Sequence, residues 1–548
     1  MRERATAPKE DTMTPTTQEQ RHIAIMDTTL RDGEQTSEVS YMPDEKLQLA
    51  RLLLLDVEVD RLEIASSRVS EGERDAARKI CAWARKKGCL QRVEILGYCD
   101  GKKSVDWIAD VGGKVLNLLT KGSEHHCRSQ LRVAPEKHRA AVEETVRYAR
   151  RRRMQVNVYL EDWSNGVQDS FEYVYAMVQL LRELRVARIY LPDTLGILSP
   201  ESTTRTVALM TTTWPEVDFE FHSHNDYNLA TANCLAAIGA GARGVHTSVN
   251  GLGERAGNTR LAEVVAAIHD HTEFRTTVAE ARLTALSRLV ERFSGKEMSS
   301  NAPIVGRDVF TQTAGIHADG DAKGDLYANK LAPARFGRAR RYALGKMAGK
   351  ASLDHNLKSL GIDLPAAQHA LVLARIVELG DRKHTVTPED LPFLIADVLK
   401  TPREQLVRVE SYSVSVGNDQ APQAQVTLSF RGESREAKAG GDGGYDAFMN
   451  ATRKAARGLD IPMPRLHDFR VRIPPGGRTG ALVETTITWR PEGDARPALA
   501  GEETFSTIGV DSDQLAAAIV ATEKMLNAMA PRKPQRSSRV KRTVRRTS

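Results

Sequence analysis

Two histidines stand two residues apart, His222 and His224, directly after the short segment Phe219-Glu220-Phe221. On a strand, period-2 geometry puts both imidazoles on one face, where a divalent ion can take both. Alone, such a pair is more often two polar residues at an exposed strand end, because short motifs match by chance. Two further groups shift that balance if the fold collects them. One is Asp32, in Asp27-Thr28-Thr29-Leu30-Arg31-Asp32-Gly33-Glu34, and the other is Asn258, which closes the glycine-rich run that starts at Asn250. Two imidazoles, a carboxylate and an amide oxygen suit zinc, manganese or cobalt, or magnesium where availability dominates. Open positions on such an ion let a 2-oxo acid chelate through its carboxylate and ketone, and the ion then acts as a Lewis acid. Arg31, beside the carboxylate, can stabilise a developing alkoxide. Its competing role is a salt bridge at the rim.

The elements that would position these residues form a repeated pattern. Eight apolar runs alternate with amphipathic stretches: Ile23 to Met26, Arg61 to Ile64, Val93 to Leu96, Val115 to Leu118, Val156 to Leu160, Arg188 to Leu191, Phe219 to His222 and Val245 to Val249. Helical spacing lies between them, as in Glu71 to Arg85 and Pro135 to Arg152. Eight βα units over this length predict a TIM barrel, in which the residues following each strand build the active site. Asp32 then follows strand one, Glu161 ends strand five, Thr194 follows strand six, and the histidines and Asn258 sit at strands seven and eight. After the barrel, Leu261 to Phe293 reads as helical, and helices follow at Pro365 to Leu379 and Pro388 to Val398. From Val407 the texture changes to alternating strands (Val407 to Val416, Gln423 to Phe430, Arg470 to Ile473, Leu482 to Trp489) with helices near Asp446 to Gly458 and Asp513 to Met529. The fold class is therefore α/β: a barrel over 21–294, helical connecting subdomains over 295–400 and a C-terminal α/β domain over 401–530. A disordered leader (1–20) and a basic tail (531–548) flank them.

Composition sets outer limits. The chain has 548 residues, 41% hydrophobic and 27% charged, which is ordinary globular usage without an apolar run of spanning length. The net charge of +7 comes from the tail, whose eight Lys and Arg and no acid leave the body at 7 − 8 = −1. A near-neutral body argues against a specific nucleic-acid face. Five cysteines without CxxC spacing point to reduced thiols and a cytoplasmic setting. The glycine runs near Gly440 and Gly476 lack the Lys-Ser or Lys-Thr of a phosphate loop.

The three motifs Asp27 to Gln35, His222-Ser223-His224-Asn225-Asp226 and Asn250 to Asn258 together resemble the metal-dependent acyl-CoA condensing family that includes 2-isopropylmalate, homocitrate and citramalate synthases. The resemblance extends through Gly315-Ile316-His317-Ala318-Asp319-Gly320 and covers Ile23 to Met529. It implies a divalent ion on Asp32, His222, His224 and Asn258, with acetyl-CoA as co-substrate. Segments such as Glu94-Ile95-Leu96-Gly97 and Tyr159-Leu160-Glu161-Asp162-Trp163 are most similar to the citramalate-forming members, which join acetyl-CoA to pyruvate on a route to isoleucine. By that resemblance Leu96, Leu119 and Tyr159 wall the 2-oxo acid pocket, while Thr194 and Arg31 hold substrate oxygens. Leucines there would fill the volume that a valine-derived isopropyl group needs, although apolar pockets discriminate by only about 1–3 kcal/mol per methylene. The family's alternative chemistry uses 2-oxoisovalerate to make 2-isopropylmalate. Glu161 takes a role in proton transfer, and His317 and Tyr327 act on the acetyl-CoA side, reaching it from a partner subunit. The C-terminal domain resembles the family's regulatory, dimerising domain, which implies a homodimer and an effector pocket for an amino acid, isoleucine, at Tyr445, Asp446, Leu466, Ile473, Thr479 and Val483.

Overall fold

The computed structural model describes residues 21–324, 326–381, 386–399, 407–472, 483–491 and 504–530. The expected leader and tail, and the effector candidates Ile473 and Thr479, lie outside them. The chain divides into two units, Met1–Val309 with Lys330–Gly337 and Phe310–Asn329 with Arg338–Ser548.

In the first unit each apolar run becomes a strand: β1 (Ala24–Asp27), β2 (Arg61–Ser66), β3 (Val93–Tyr98), β4 (Val115–Lys121), β5 (Gln155–Glu161), β6 (Arg188–Asp193), β7 (Phe219–Ser223) and β8 (Gly244–Thr247). Each pairs in parallel with the next, and β8 closes on β1 with Ala24 opposite Gly244 and Asp27 opposite Thr247. Burial on both faces explains why these strands read as continuous runs; every residue of β2 is buried. The helix Glu71–Lys87 shows how local signals place the outer layer. Ser70 caps it by accepting from the Glu73 N–H at 3.1 Å, Gly88 ends it in the left-handed region (φ 72°), and Ala76, Ala77, Ile80, Cys81 and Ala84 form its buried stripe.

Within the strands a second pattern hides inside the apolar one. Arg61, Glu63, Glu94, Asn117, Asn157, Glu220 and His246 are all buried and meet one another in the barrel interior. On β2, Arg61 and Glu63 alternate with Leu62 and Ile64, the period-2 signature of one polar and one apolar face. The expected helix Leu261 to Phe293 is in fact two, Leu261–His271 and Leu283–Ser294. Thr272 leaves the helix in extended geometry, and the following stretch uses side chains in place of a helical ladder: His269 meets Glu280 at 3.1 Å and Thr276 at 3.0 Å.

The second unit contains a short parallel pair, β9 (Thr311–Gln312) with β10 (Arg341–Tyr342), and the helices Gly315–Ala322, Lys350–Ser359, Ala366–Asp381 and Leu391–Leu399. Two three-stranded antiparallel sheets follow. One is β11 (Val407–Gly417), β12 (Gln420–Phe430) and β13 (Glu433–Gly440); the other is β14 (Arg465–Arg472), β15 (Val483–Arg490) and β16 (Phe505–Asp511). Helices Gly444–Arg457 and Gln514–Met529 share one apolar core with them. β13 and β16 are additions to the strands expected from the sequence. The β13 residues Ser434-Arg435-Glu436-Ala437-Lys438 have low strand propensity, yet Arg431 and Gly432, both at positive φ, form the tight reversal that lays them along β12. Among the described residues no helix is long and apolar enough to cross a membrane.

Candidate active site and metal centre

The barrel brings the expected ligand set together at the ends of β1, β7 and β8. Asp32, His222 and His224 are buried and offer ligand atoms that all lie within 4.8 Å of one another. His222 Nε2 is 3.2 Å from Asp32 Oδ2 and 3.4 Å from His224 Nε2. Donors about 2.1 Å from one ion stand about 3.0 Å apart at right angles and about 3.4 Å apart at wider angles, so this spacing fits a shared cation. Asn258 donates from Nδ2 to Asp32 Oδ2 at 3.0 Å and to the Leu252 carbonyl at 3.1 Å, which leaves its buried Oδ1 without a partner. An orphaned buried acceptor is costly unless a cation or donor meets it. Burial pushes the His224 imidazole down to about 4, with His222 beside it adding to the effect. Burial alone would raise Asp32; the adjacent Arg31 guanidinium and His222 overcome it and hold the carboxyl well below the usual range. Neutral imidazole and ionised carboxylate are the ligating forms.

Arg31 is both a rim residue and part of a buried chain. It contacts Asp32 Oδ1 at 3.2 Å through Nη1, donates to Glu63 Oε2 at 2.5 Å through Nε, and reaches the Tyr159 hydroxyl at 3.3 Å through Nη2. Glu63 also accepts from Asn117 Nδ2 at 2.7 Å, and Asn117 accepts from Asn157 Nδ2 at 2.9 Å. Below them Arg61 donates to both oxygens of Glu220, at 2.7 and 2.6 Å, and His246 bridges Glu220 (3.2 Å) to the Tyr159 hydroxyl (3.3 Å). Burial pushes His246 down to about 3, opposed by Glu220. These supporting residues were missed in the sequence. A local hint is on β2, where Arg61 and Glu63 stand two apart inside an apolar run; Glu94, Asn117 and Asn157 are single polar residues in theirs.

Leu96, Tyr159 and Leu119 join one cluster with Met26, Tyr98 and Tyr190, and the Tyr159 ring stands edge-on to His222 at 5.9 Å. Register explains the meeting, because Tyr98 lies opposite Leu119 and Leu119 opposite Tyr159. Thr194 accepts from the Asp162 backbone N–H at 2.9 Å, and its hydroxyl proton stays free to donate. Glu161, at the end of β5, is ion-paired with Lys121 at the end of β4. Arg255 grips Asp226 through two bonds (2.9 and 3.0 Å) and donates to the Thr194 carbonyl at 2.7 Å, tying the loops after β6, β7 and β8 together.

In the second unit, His317 on the helix Gly315–Ala322 and Tyr327 pack ring to ring with centroids 4.2 Å apart. Of the effector candidates, Tyr445 bonds to the Thr522 hydroxyl at 2.7 Å and stacks near Phe448 and Phe469. Asp446 Oδ2 accepts from the Asp442 N–H and from Asn450, both at 3.1 Å. Leu466 faces Trp489 whereas Val483 begins β15 at its other end, so the hairpin separates them by roughly 20 Å at 3.3 Å per residue. Within one chain these two do not share a pocket.

Three family models match the chain in order: HMGL-like over residues 22–290, the homocitrate synthase post-HMGL domain over 304–384, and the LeuA allosteric (dimerisation) domain over 385–530. A protein of Methanopyrus kandleri, provisionally named (R)-citramalate synthase CimA, is 34% identical over 469 residues, 85% of this chain and 90% of that protein. A 2-isopropylmalate synthase of Methanocaldococcus jannaschii is 32% identical over 473 residues, 85% of this chain and 88% of its own length. Among solved structures, a hydroxymethylglutaryl-CoA lyase from Pseudomonas aeruginosa covers 50% of this chain and 94% of itself at 18% identity, with a TM-score of 0.44. The barrel with its clustered Asp32, His222 and His224, the order of the three domains and the full-length relatives together place the chain in the homocitrate, citramalate and 2-isopropylmalate synthase family, whose enzymes use a divalent metal ion to condense acetyl-CoA with a 2-oxo acid.

Proposed function

We propose that the 2-oxo acid is pyruvate, so that the chain converts acetyl-CoA, pyruvate and water to (R)-citramalate and CoA on a route to isoleucine. The observation that carries this reading is the apolar cluster of Leu96, Leu119 and Tyr159, packed with Met26 and Tyr190, whose Tyr159 ring stands edge-on to His222. Large side chains there leave room for a methyl group at the expense of an isopropyl group. An ion held by Asp32, His222, His224 and Asn258 would supply Lewis acidity toward the ketone. The remaining work belongs to the chain. Arg31, oriented by Glu63, stabilises negative charge developing on the keto oxygen, and Thr194 donates to the substrate carboxylate.

A proton leaves the acetyl methyl with Glu161 taking part in the transfer, and His317 and Tyr327, from a partner subunit of a homodimer, serve the acetyl-CoA side. The methyl carbon then forms the C–C bond to the keto carbon. The alkoxide is protonated, and water cleaves the thioester to release CoA and the second carboxylate. We place the domain limits at 21–294, 295–400 and 401–530, with isoleucine as the effector of the last.

The test is release of free CoA with pyruvate and with 2-oxoisovalerate in the presence of a divalent ion, repeated with isoleucine and with leucine. Expected are a preference for pyruvate and inhibition by isoleucine. A preference for 2-oxoisovalerate would overturn the substrate reading in favour of 2-isopropylmalate synthesis, the reading that relatives such as the Methanocaldococcus jannaschii protein support.

A further inference from the structure

Asp162 is one residue past Glu161 and has no place in the steps above, yet it is among the most heavily constrained residues of the barrel mouth. Its side chain is 1% exposed and its backbone is left-handed (φ 67°, ψ 26°), a conformation that Asp adopts more readily than most non-glycine residues and that fixes the direction of its N–H. The surroundings are visible. Asp162 Oδ2 accepts from the hydroxyl of Ser123, which follows β4, at 2.6 Å and lies 3.4 Å from Nε2 of His126, in the short helix Glu124–Ser129 that Ser123 caps. Its Oδ1 accepts from Asn165 Nδ2 at 2.7 Å, and its own N–H donates to Thr194 Oγ1 at 2.9 Å, on the loop after β6. The segments after β4 and β5 also press together at backbone level, since a Cβ on Gly166, in the helix Trp163–Asp169, would come within 1.9 Å of the Gly122 carbonyl oxygen.

We propose that Asp162 is a positioning residue for the 2-oxo acid, locking the loops after β4, β5 and β6 into one register so that Thr194 and Glu161 face the same substrate. The inference rests on the condensation proposed above. The left-handed turn is what directs the Asp162 N–H at Thr194 Oγ1; with that lone pair occupied, the Thr194 hydroxyl points its proton away and presents it as a donor. Side-chain hydrogen bonds from Ser123 on one side and Asn165 on the other hold the turn in place, with His126 packed beside the carboxylate. Loss of the carboxylate therefore acts on Thr194 through the backbone, a displacement of the kind that costs rate without removing any group that touches substrate.

The experiment compares the parent enzyme with Asp162→Asn, Thr194→Val and the double variant, reading KM for pyruvate, KM for acetyl-CoA and kcat separately, with hydrogen exchange of the peptides covering 121–126 and 193–198. Asp162→Asn should raise the pyruvate KM about tenfold, the scale of one charge-assisted hydrogen bond, with the acetyl-CoA KM within about twofold of the parent. Exchange should rise in both peptides, and the double variant should be no worse than Thr194→Val alone, because the two act in series. The inference fails if the two effects multiply, if both KM values rise together, or if exchange rises only at 121–126. If the parent itself turns over no 2-oxo acid, the condensation reading fails, and the exchange coupling between the two loops still decides whether Asp162 locks them.

Discussion

Glu63→Gln is the sharpest test of how the barrel interior serves the site. The substitution keeps size and shape and changes only charge and hydrogen-bond polarity. In the parent, both carboxylate oxygens face donors: Oε1 accepts from Asn117 at 2.7 Å, and Oε2 accepts from Arg31 at 2.5 Å and Tyr159 at 3.4 Å. A glutamine must turn its own N–H groups toward one of them. Flipping Asn117 does not relieve the clash, since Asn117 accepts from Asn157 (2.9 Å) and Asn157 accepts from Arg188 (3.5 Å), a permanent donor that fixes the polarity of the whole chain. Breaking a buried pair of this kind costs about 3–5 kcal/mol. Expressed at the transition state, that is about two to four decades in kcat/KM at 1.36 kcal/mol per decade; whatever part falls on the folded state lowers the thermal midpoint instead. Steady-state release of CoA and thermal unfolding, measured on the same preparations, read both parts. A variant within about threefold of the parent in kcat/KM, with an unmoved midpoint, would refute the claim that Glu63 holds Arg31 in its working orientation.

Chelation should abolish turnover and readdition of manganese, zinc, cobalt or magnesium should restore it; independently of activity, saturating ion at 100 times Kd should stabilise the protein by about 2.7 kcal/mol, and Asp32→Ala should erase that gain. Gly320→Ala places a Cβ about 2.5 Å from Tyr327 Cε2, and because Tyr327 is 42% exposed it can swing away from His317, so kcat should fall about tenfold while the thermal midpoint holds; a normal kcat would separate that ring pair from the chemistry. Asp27 is fully buried, with Oδ2 unpartnered and Oδ1 accepting from the Thr29 N–H, and burial lifts its carboxyl to about 7 against an ordinary 3.8. A raised pKa contributes stability that is complete below about pH 4 and is lost as pH rises through about 7, with roughly 4 kcal/mol as a ceiling. Asp27→Asn should therefore gain on the parent between pH 5 and 8 in denaturant titrations, and an unchanged difference would contradict the assignment.

Much of this was legible in the chain. The apolar runs gave the eight barrel strands to within a few residues, since a strand buried on both faces announces itself locally. Asp32, His222, His224 and Asn258 stood out as candidates because few residue types bind a divalent ion and each lies in, or in the segment following, the C-terminal end of β1, β7 or β8; the structure brings the first three within 4.8 Å of one another. The interior network was not legible, because Arg61, Glu63 and Glu94 look like ordinary charges until closure aims them at one another. β13 was hidden for a related reason: its residues disfavour a strand, and pairing with β12 overrides them. The break at Thr272 depended on partners of His269 that local periodicity does not show.

For the barrel, sequence by itself determined the kinds of element, their order and the chemical types available to the site, because periodicity and ligand chemistry are properties of neighbouring residues. Tertiary structure alone decided which of them meet. Asn258 bonds Asp32 across 226 positions of chain, and Tyr159 receives Arg31 across 128, distances over which no local signal carries. Only the closure of β8 on β1 fixes those approaches, and closure is a property of the whole barrel at once.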